Sequence, residues 1–226
     1  MLLTIDNVLT EEELAAAQKL LAESAWVSGL VTAGTQAAKV KNNQQLSENA
    51  PQMATLRRLV LGALNRNALF FTATLPKKIM PPFFNRYSGA TNHYGFHVDN
   101  AMRILPEGGY VRADVSATLF LSDPQTYDGG ELVINDTFGQ QSIKLQAGSM
   151  VIYPSSSVHQ VTPVTRGERV ACFMFIQSMV RDPNQRRLLY EMDMALLQLR
   201  QNIGETEAVV NLTGTYHNLL RQWAQP

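Results

Sequence analysis

The sequence holds a single cysteine, Cys172, which excludes an internal disulfide framework and any multi-cysteine zinc site. That thiol lies inside the apolar run VACFMFI, where a cysteine is ordinarily a small buried hydrophobe. Charge of either sign is equally scarce in excess: Lys and Arg number 19 and Asp and Glu number 19, so the formal net charge is zero. The basic residues are scattered, paired only at Arg57-Arg58, Lys77-Lys78 and Arg186-Arg187. Without a basic patch there is no electrostatic reason for a nucleic-acid partner, and none is expected. No stretch approaches the roughly 18 consecutive apolar residues that span a bilayer, so no membrane partner is expected either. The opening MLLTIDNVLTEEEL carries acids where a signal peptide needs positive charge and an apolar core. A cytoplasmic location is the expectation.

What is present, at 226 residues and 45% apolar, is enough to bury a sizeable core. Thr10 and Glu13 form a capping box ahead of LAAAQKLLAESAW, whose apolar residues recur at helical spacing and predict a first helix ending near Ser24 or Ala25. Gly29 to Ala38 reads as loop or edge strand, and the polar run Lys39 to Gln45 as a solvated loop. Ser47 or Asn49, with Pro51 in the first turn, caps a second helix whose period holds up to Phe70-Phe71. After Arg181 the helical period returns, with Asp182-Pro183 as the start of one helix, Gly204 as its stop and Thr206 as the cap of another. The apolar stripe of Leu188, Leu189, Met192, Leu196, Leu197 and Leu199 is covered by the chain's own barrel or, alternatively, by a second copy in a homodimer.

Between these helices the character is strand-like: 83–87, 94–98, 114–121, 131–134, 142–145, 149–153, 159–164 and 169–180, with a hairpin-type turn at Asp128-Gly129-Gly130. About eight short strands at this spacing predict an α+β fold with a mainly β core. The form expected is a double-stranded β-helix, or jelly-roll, barrel buttressed by helices at both ends. The expected organisation is one domain over 1–226, with a helical region at 1–78, the barrel at 79–180 and helices at 181–226. The irregular segment Asn100–Tyr110, with Pro106 and Gly108-Gly109, is a candidate lid.

Of the four histidines, His97 stands two positions before Asp99, and in a strand such a pair shares a face. His159 follows another strand-like run and is the natural third ligand. Two imidazoles and a carboxylate are the donor set of non-haem Fe(II) oxygenases, which leave positions open for a cosubstrate and dioxygen. Arg169 begins the run RVACFMFIQS, so its cationic fork is placed to point inward and to grip a dicarboxylic cosubstrate. Tyr87, in the segment FNRY, is a candidate hydroxyl donor to the same carboxylate. His93 and His217 read as ordinary loop and helix residues, and Arg112 with Asp114 as an ion pair or part of the barrel mouth.

The joined motifs YGFHVDN, ADVSATLFLSDPQTYDGGELVI and PSSSVHQVTPVTRGERVACFMFIQS resemble the core of the Fe(II)- and 2-oxoglutarate-dependent prolyl/lysyl hydroxylase superfamily. The KNNQQ run and FNRY bring the chain closer to the bacterial PKHD-type hydroxylases, a group linked to iron uptake. The resemblance implies that His97, Asp99 and His159 bind iron and that Arg169 binds the distal carboxylate of 2-oxoglutarate. It implies hydroxylation with release of succinate and carbon dioxide, and ascorbate as a further candidate cofactor. The substrate is left open among small molecules, peptides and protein side chains. Lys41, Asn42 and Asn43 become candidate substrate or wall contacts through the resemblance alone. Animal-type prolyl hydroxylases carry Lys where this chain has Arg169, a departure that preserves the cosubstrate role and carries no information about the substrate. Two rivals stand beside this reading. One is a cupin-like metalloenzyme on a similar barrel working without 2-oxoglutarate, against which Asp99 and Arg169 argue because such sites more often use three histidines and a carboxylate. The other is a non-enzymatic iron-responsive binding protein using the same triad.

Overall fold

Alternation of side chains along strands decides the architecture. A computed structural model of the chain describes residues 1–32, 34–105, 108–136 and 139–226, less the side chains of Thr32 and Asp136. The elements begin with β1 (Leu3–Ile5), α1 (Glu11–Ala22), β2 (Trp26–Ser28), β3 (Lys41–Asn42), β4 (Gln44–Leu46), α2 (Met53–Asn65), α3 (Ala68–Thr74) and β5 (Pro76–Ile79). Next come β6 (Phe83–Tyr87), β7 (His93–His97), β8 (Met102–Ile104), β9 (Tyr110–Arg112), β10 (Val115–Phe120), β11 (Leu132–Asp136) and β12 (Gly139–Ile143). The chain ends with β13 (Met150–Pro154), β14 (His159–Val161), β15 (Arg169–Ser178), α4 (Pro183–Ile203) and α5 (Glu207–Trp223).

One sheet runs β1-β13-β10-β15-β6-β4-β2, with β5 added along the far half of β15; the other runs β12-β11-β14-β7-β3. All their pairings are antiparallel, and together the two sheets make the jelly roll. The larger sheet is covered on both faces, so its central strand β10 is buried at all six positions, Ser116 and Thr118 included. In β10, Val115, Ala117 and Leu119 join Leu56, Val60 and Phe70 under the N-terminal helices. Phe120, of the other parity, joins Tyr87, Tyr153, Leu132 and Val161 between the sheets. The same alternation in β15 sends Cys172, Met174 and Ile176 to the helices and leaves Arg169, Phe173 and Phe175 on the barrel side. Burial accordingly pushes the Cys172 thiol far above its ordinary pKa, as an inert core cysteine requires.

The α1 capping box is present, Thr10 Oγ1 accepting from Glu13 N–H at 3.2 Å and Glu13 returning the bond to Thr10 at 3.0 Å. The long second helix is instead two. The break falls where Asn67 leaves helical geometry and its carboxamide accepts from Phe70 N–H at 2.8 Å, capping α3. Ser47 does not cap α2, which starts at Met53; its carbonyl closes the turn before it, accepting from Ala50 N–H. Asp128-Gly129-Gly130 carries the chain from one sheet to the other rather than closing a hairpin, Asp128 bridging to Arg166. The polar run at 41–46 is not a solvated loop: β3 belongs to the smaller sheet and β4 to the larger, so Asn43 marks the crossing between them. Segment 100–110 contains β8, which pairs with β9 in a small hairpin; Pro106 lies outside the described residues. Asp182 caps α4, Gly204 ends it with φ 73°, and Thr206 caps α5; Leu189, Leu196, Val209 and Tyr216 seal the two helices around Leu75 and Val180.

Candidate metal centre and cosubstrate cavity

β7 and β14 are neighbours in the smaller sheet, with His97 directly opposite His159. Asp99 follows two residues after β7 ends, and the ligating atoms of His97, Asp99 and His159 all lie within 4.8 Å of one another. Each imidazole is fixed from behind by the backbone two residues before it. His97 Nδ1 lies 2.8 Å from the Gly95 carbonyl and His159 Nδ1 lies 3.0 Å from the Ser157 carbonyl. A carbonyl only accepts, so both Nδ1 atoms carry a proton and the two Nε2 atoms are left to face the cluster. Ser116 donates to Asp99 Oδ2 at 2.7 Å and is itself paired with Ser155 at 2.7 Å, which orients the carboxylate. Burial, with His159 beside it, lowers His97 to about 4, so this imidazole is neutral and able to ligate near pH 7.

The pairing of β7 with β14 carries a register shift. Two steps along β14, from His159 to Val161, match three along β7, from His97 to Tyr94. The extra residue brings Tyr94 onto the cavity side, stacked on His97 with centroids 3.6 Å apart and planes 10° apart. Unbroken alternation would have put His93 there. His93 is instead the first residue of β7, opposite Asn42, with Nδ1 3.1 Å from Asn92 Oδ1.

Beside the triad runs a cavity lined by Arg169, Tyr87, Asn85, Phe173, Lys41 and Arg103 among others. Arg169 is 1% exposed, and none of its three guanidinium nitrogens has a hydrogen-bond partner among the described residues. It touches the Tyr87 ring at 5.2 Å and the Phe120 ring at 5.0 Å, and Tyr87 is its cross-strand partner. Gly130, at φ 71°, gives way to this side chain: a Cβ there would fall 2.9 Å from Arg169 Cδ. A buried cation with every donor unfilled is costly alone and suits a carboxylate held by a planar fork. The donor set of two imidazoles and one carboxylate likewise suits Fe(II).

Lys41 and Asn43, brought forward only by the family resemblance, do line the cavity, whereas Gln45, Arg103, Ser116 and Ser155 were missed by sequence reasoning altogether. Lys41, Asn43 and Gln45 are buried, one on each second position of a run that looked solvated. Arg103 reaches the site from β8, and Ser116 and Ser155 were unmarked. The signal available was period two in the polar run, hidden because both parities are polar. Arg112 and Asp114 form a two-pronged pair at 2.7 and 2.9 Å, and Asp114 also accepts from Ser178 N–H. His217 lies in α5 against Tyr216.

Residues 82–177 match the model of the 2OG-Fe(II) oxygenase superfamily, and 184–225 match the PKHD-type hydroxylase C-terminal domain. A PKHD-type hydroxylase of Nitrosomonas eutropha is 92% identical over 226 residues, covering 100% of both chains. The chain belongs to the PKHD-type hydroxylases. Another member, from Nitrosomonas europaea, is 86% identical over 225 residues and 99% of each chain. A Pseudomonas putida prolyl-4-hydroxylase shares the fold, with TM-score 0.52 and 21% identity over 78% of this chain and 92% of that one. As a PKHD-type hydroxylase the protein is an enzyme of the 2-oxoglutarate and Fe(II) class, and its His-Asp-His cluster is of the type that class requires. Among the described residues no helix is long and apolar enough to cross a membrane.

Proposed function

We propose that the chain hydroxylates its substrate with His97, Asp99 and His159 holding Fe(II), and with Arg169 and Tyr87 receiving the distal carboxylate of 2-oxoglutarate. The observation that carries the reading is Arg169: fully buried, positively charged, with its hydrogen-bond donors unfilled among the described residues, in the cavity shared with the triad. Iron, when bound, supplies with 2-oxoglutarate and dioxygen the oxidising power that hydroxylates an unactivated C–H bond and leaves succinate and carbon dioxide. The chain's own work is positioning. Gly95 and Ser157 hold the imidazole tautomers, Ser116 holds the Asp99 carboxylate, and Phe173 and Phe120 keep water from the cosubstrate end. Within this reading ascorbate serves as external reductant, and the enzyme works in the cytoplasm. The same proposal, following the resemblance alone, sets the substrate in iron uptake, as a small molecule, peptide or protein side chain.

Anaerobic titration of the Fe(II)-loaded protein with 2-oxoglutarate tests it. A saturable visible charge-transfer band, followed by succinate on admission of air, is the expected result. Bound iron with no band and no succinate would exclude the oxygenase reading.

A further inference from the structure

Arg103 lies with its guanidinium on the Phe175 ring, carbon to centroid 4.0 Å. Stacking occupies the face of the group and leaves its N–H donors directed along its plane. Nη2 stands 3.7 Å from Asp99 Oδ1, beyond hydrogen-bond length, and Nε is buried with no hydrogen-bond partner among the described residues. Lys41 lines the same cavity, its ammonium 3.1 Å from Gln45 Oε1 and 5.3 Å from the Tyr94 ring centre. Among the described residues that line this cavity the cations are Lys41, Arg103 and Arg169, and the one carboxylate is Asp99.

The cosubstrate and the metal do not change that balance, because Fe(II) and the dianion of 2-oxoglutarate carry equal and opposite charge. Asp99 then shares its charge with the metal, and Arg169 is committed to the cosubstrate. Arg103 is left facing a metal-bound carboxylate it does not reach, with an empty donor and a second cation on the same wall. A low-exposure site of that composition favours one more anion. We propose that Arg103, with Lys41, forms a second oxyanion subsite that binds a carboxylate of the substrate, so that the substrate class is carboxylate-bearing. The inference rests on the reading that Arg169 takes 2-oxoglutarate. The stacked fork supplies bidentate geometry and Lys41 a point charge.

The test uses the full chain loaded with redox-silent Zn(II) and saturating 2-oxoglutarate, observed by protein NMR. The probes are N-acetylglycine, its neutral analogue N-acetylglycinamide, and methyl phosphate. The acid should bind at least about tenfold more tightly than the amide. Arg103→Met and Lys41→Met should each cost the acid about tenfold, more than they cost 2-oxoglutarate, and Arg103→Lys should retain more than Arg103→Met. Equal behaviour of acid and amide, including binding of neither, overturns the proposal. So does an acid affinity unmoved in both Met variants, or tighter binding of methyl phosphate, which moves the class to phosphate. Affinity for 2-oxoglutarate on the same samples separates the two readings. If it collapses in Arg103→Met and survives in Arg169→Met, the cosubstrate assignment itself fails. If it follows Arg169 while acid and amide behave alike, the second subsite alone fails.

Discussion

His97 and His159 are direct cross-strand partners on β7 and β14, their ring centres 4.2 Å apart. Two of the three candidate iron ligands are therefore set by strand register rather than by loop conformation. A slip of one residue would turn either imidazole to the outer face. The third ligand, Asp99, lies just beyond the strand end and is oriented by a hydrogen bond from the other sheet.

Asp99→Ala should bring succinate formation to the assay background while the metal-free protein keeps its circular dichroism and cooperative unfolding. Asp99 lies outside the strands and its removal opens no core cavity. Retained turnover would remove Asp99 from the ligand set.

Ser116→Ala leaves all three ligands in place but frees the Asp99 carboxylate to rotate. Ligand-orienting hydrogen bonds of this kind are worth about 10- to 100-fold in metal affinity. Competition with a chromophoric chelator should show a loss in that range, with little change in the affinity for 2-oxoglutarate once iron is saturating. An unchanged iron affinity would mean that Ser116 serves packing alone.

Arg169→Met separates stability from function. A buried guanidinium without hydrogen-bond partners among the described residues is a liability to the ligand-free fold, so the apo variant should unfold at the same temperature as the parent or above it. Its affinity for 2-oxoglutarate should fall by about 2 kcal/mol or more, on the order of 30-fold, because one member of a desolvated charge pair is gone. The stabilisation conferred by 2-oxoglutarate, about 2.7 kcal/mol at a hundredfold excess over Kd in the parent, should largely vanish in a thermal melt. Iron affinity should stay nearly intact; its loss would argue that Arg169 acts on the triad instead.

His97 makes the metal-free protein acid-sensitive. Its pKa is lowered from 6.5 to about 4 by burial and by His159, so between those values the unfolded chain binds more protons than the folded one. Stability from this group is fully present above pH 6.5 and is lost as the pH falls towards 4, roughly 3 kcal/mol in all. Urea titrations of apo protein across that window should show the decline, and His97→Gln should flatten it. Parallel slopes in parent and variant would assign the acid sensitivity to other groups.

Much of this was legible in the sequence because chemistry and periodicity coincided there. The strand at 83–87 was bounded by turn residues on both sides, and HxD plus a distant His is a pattern that a strand's two-residue period explains directly. Arg169 was readable because a charge opening a long apolar run needs a buried partner. The polar run at 41–45 was not readable from periodicity, since Lys41, Asn43 and Gln45 are buried, the first two on the cavity, while Asn42 and Gln44 are equally polar and half-buried. No hydropathy contrast marks such a strand. Arg103 was hidden for another reason: β8 and β9 are three residues each, too short for a periodic signal. The break between α2 and α3 depends on one capping carboxamide, Asn67, inside an otherwise continuous apolar period.

Gly95 gives the sharpest structural prediction. It sits at the register shift of β7, its carbonyl fixes the His97 tautomer, and its N–H is bonded to the Val40 carbonyl at 2.9 Å. A Cβ at this position would meet Val40 Cβ at 3.0 Å. That contact is tighter than nine in ten real Cβ contacts, so a neighbour must give by a few tenths of an ångström, and the N–H bond holds the two backbones together so that neither retreats easily. Gly95→Ala should therefore destabilise the fold by about 1–3 kcal/mol as an overpacked site does. It should also weaken iron binding although no ligand is altered, since the carbonyl that aims His97 moves with the strand. Val40→Gly removes the opposing Cβ, so the double variant should recover iron affinity relative to Gly95→Ala alone while remaining less stable than the parent. Chelator competition on all four proteins measures the coupling. Simple additivity, with no recovery in the double variant, would show that the close approach of β3 to β7 has no part in positioning the histidine.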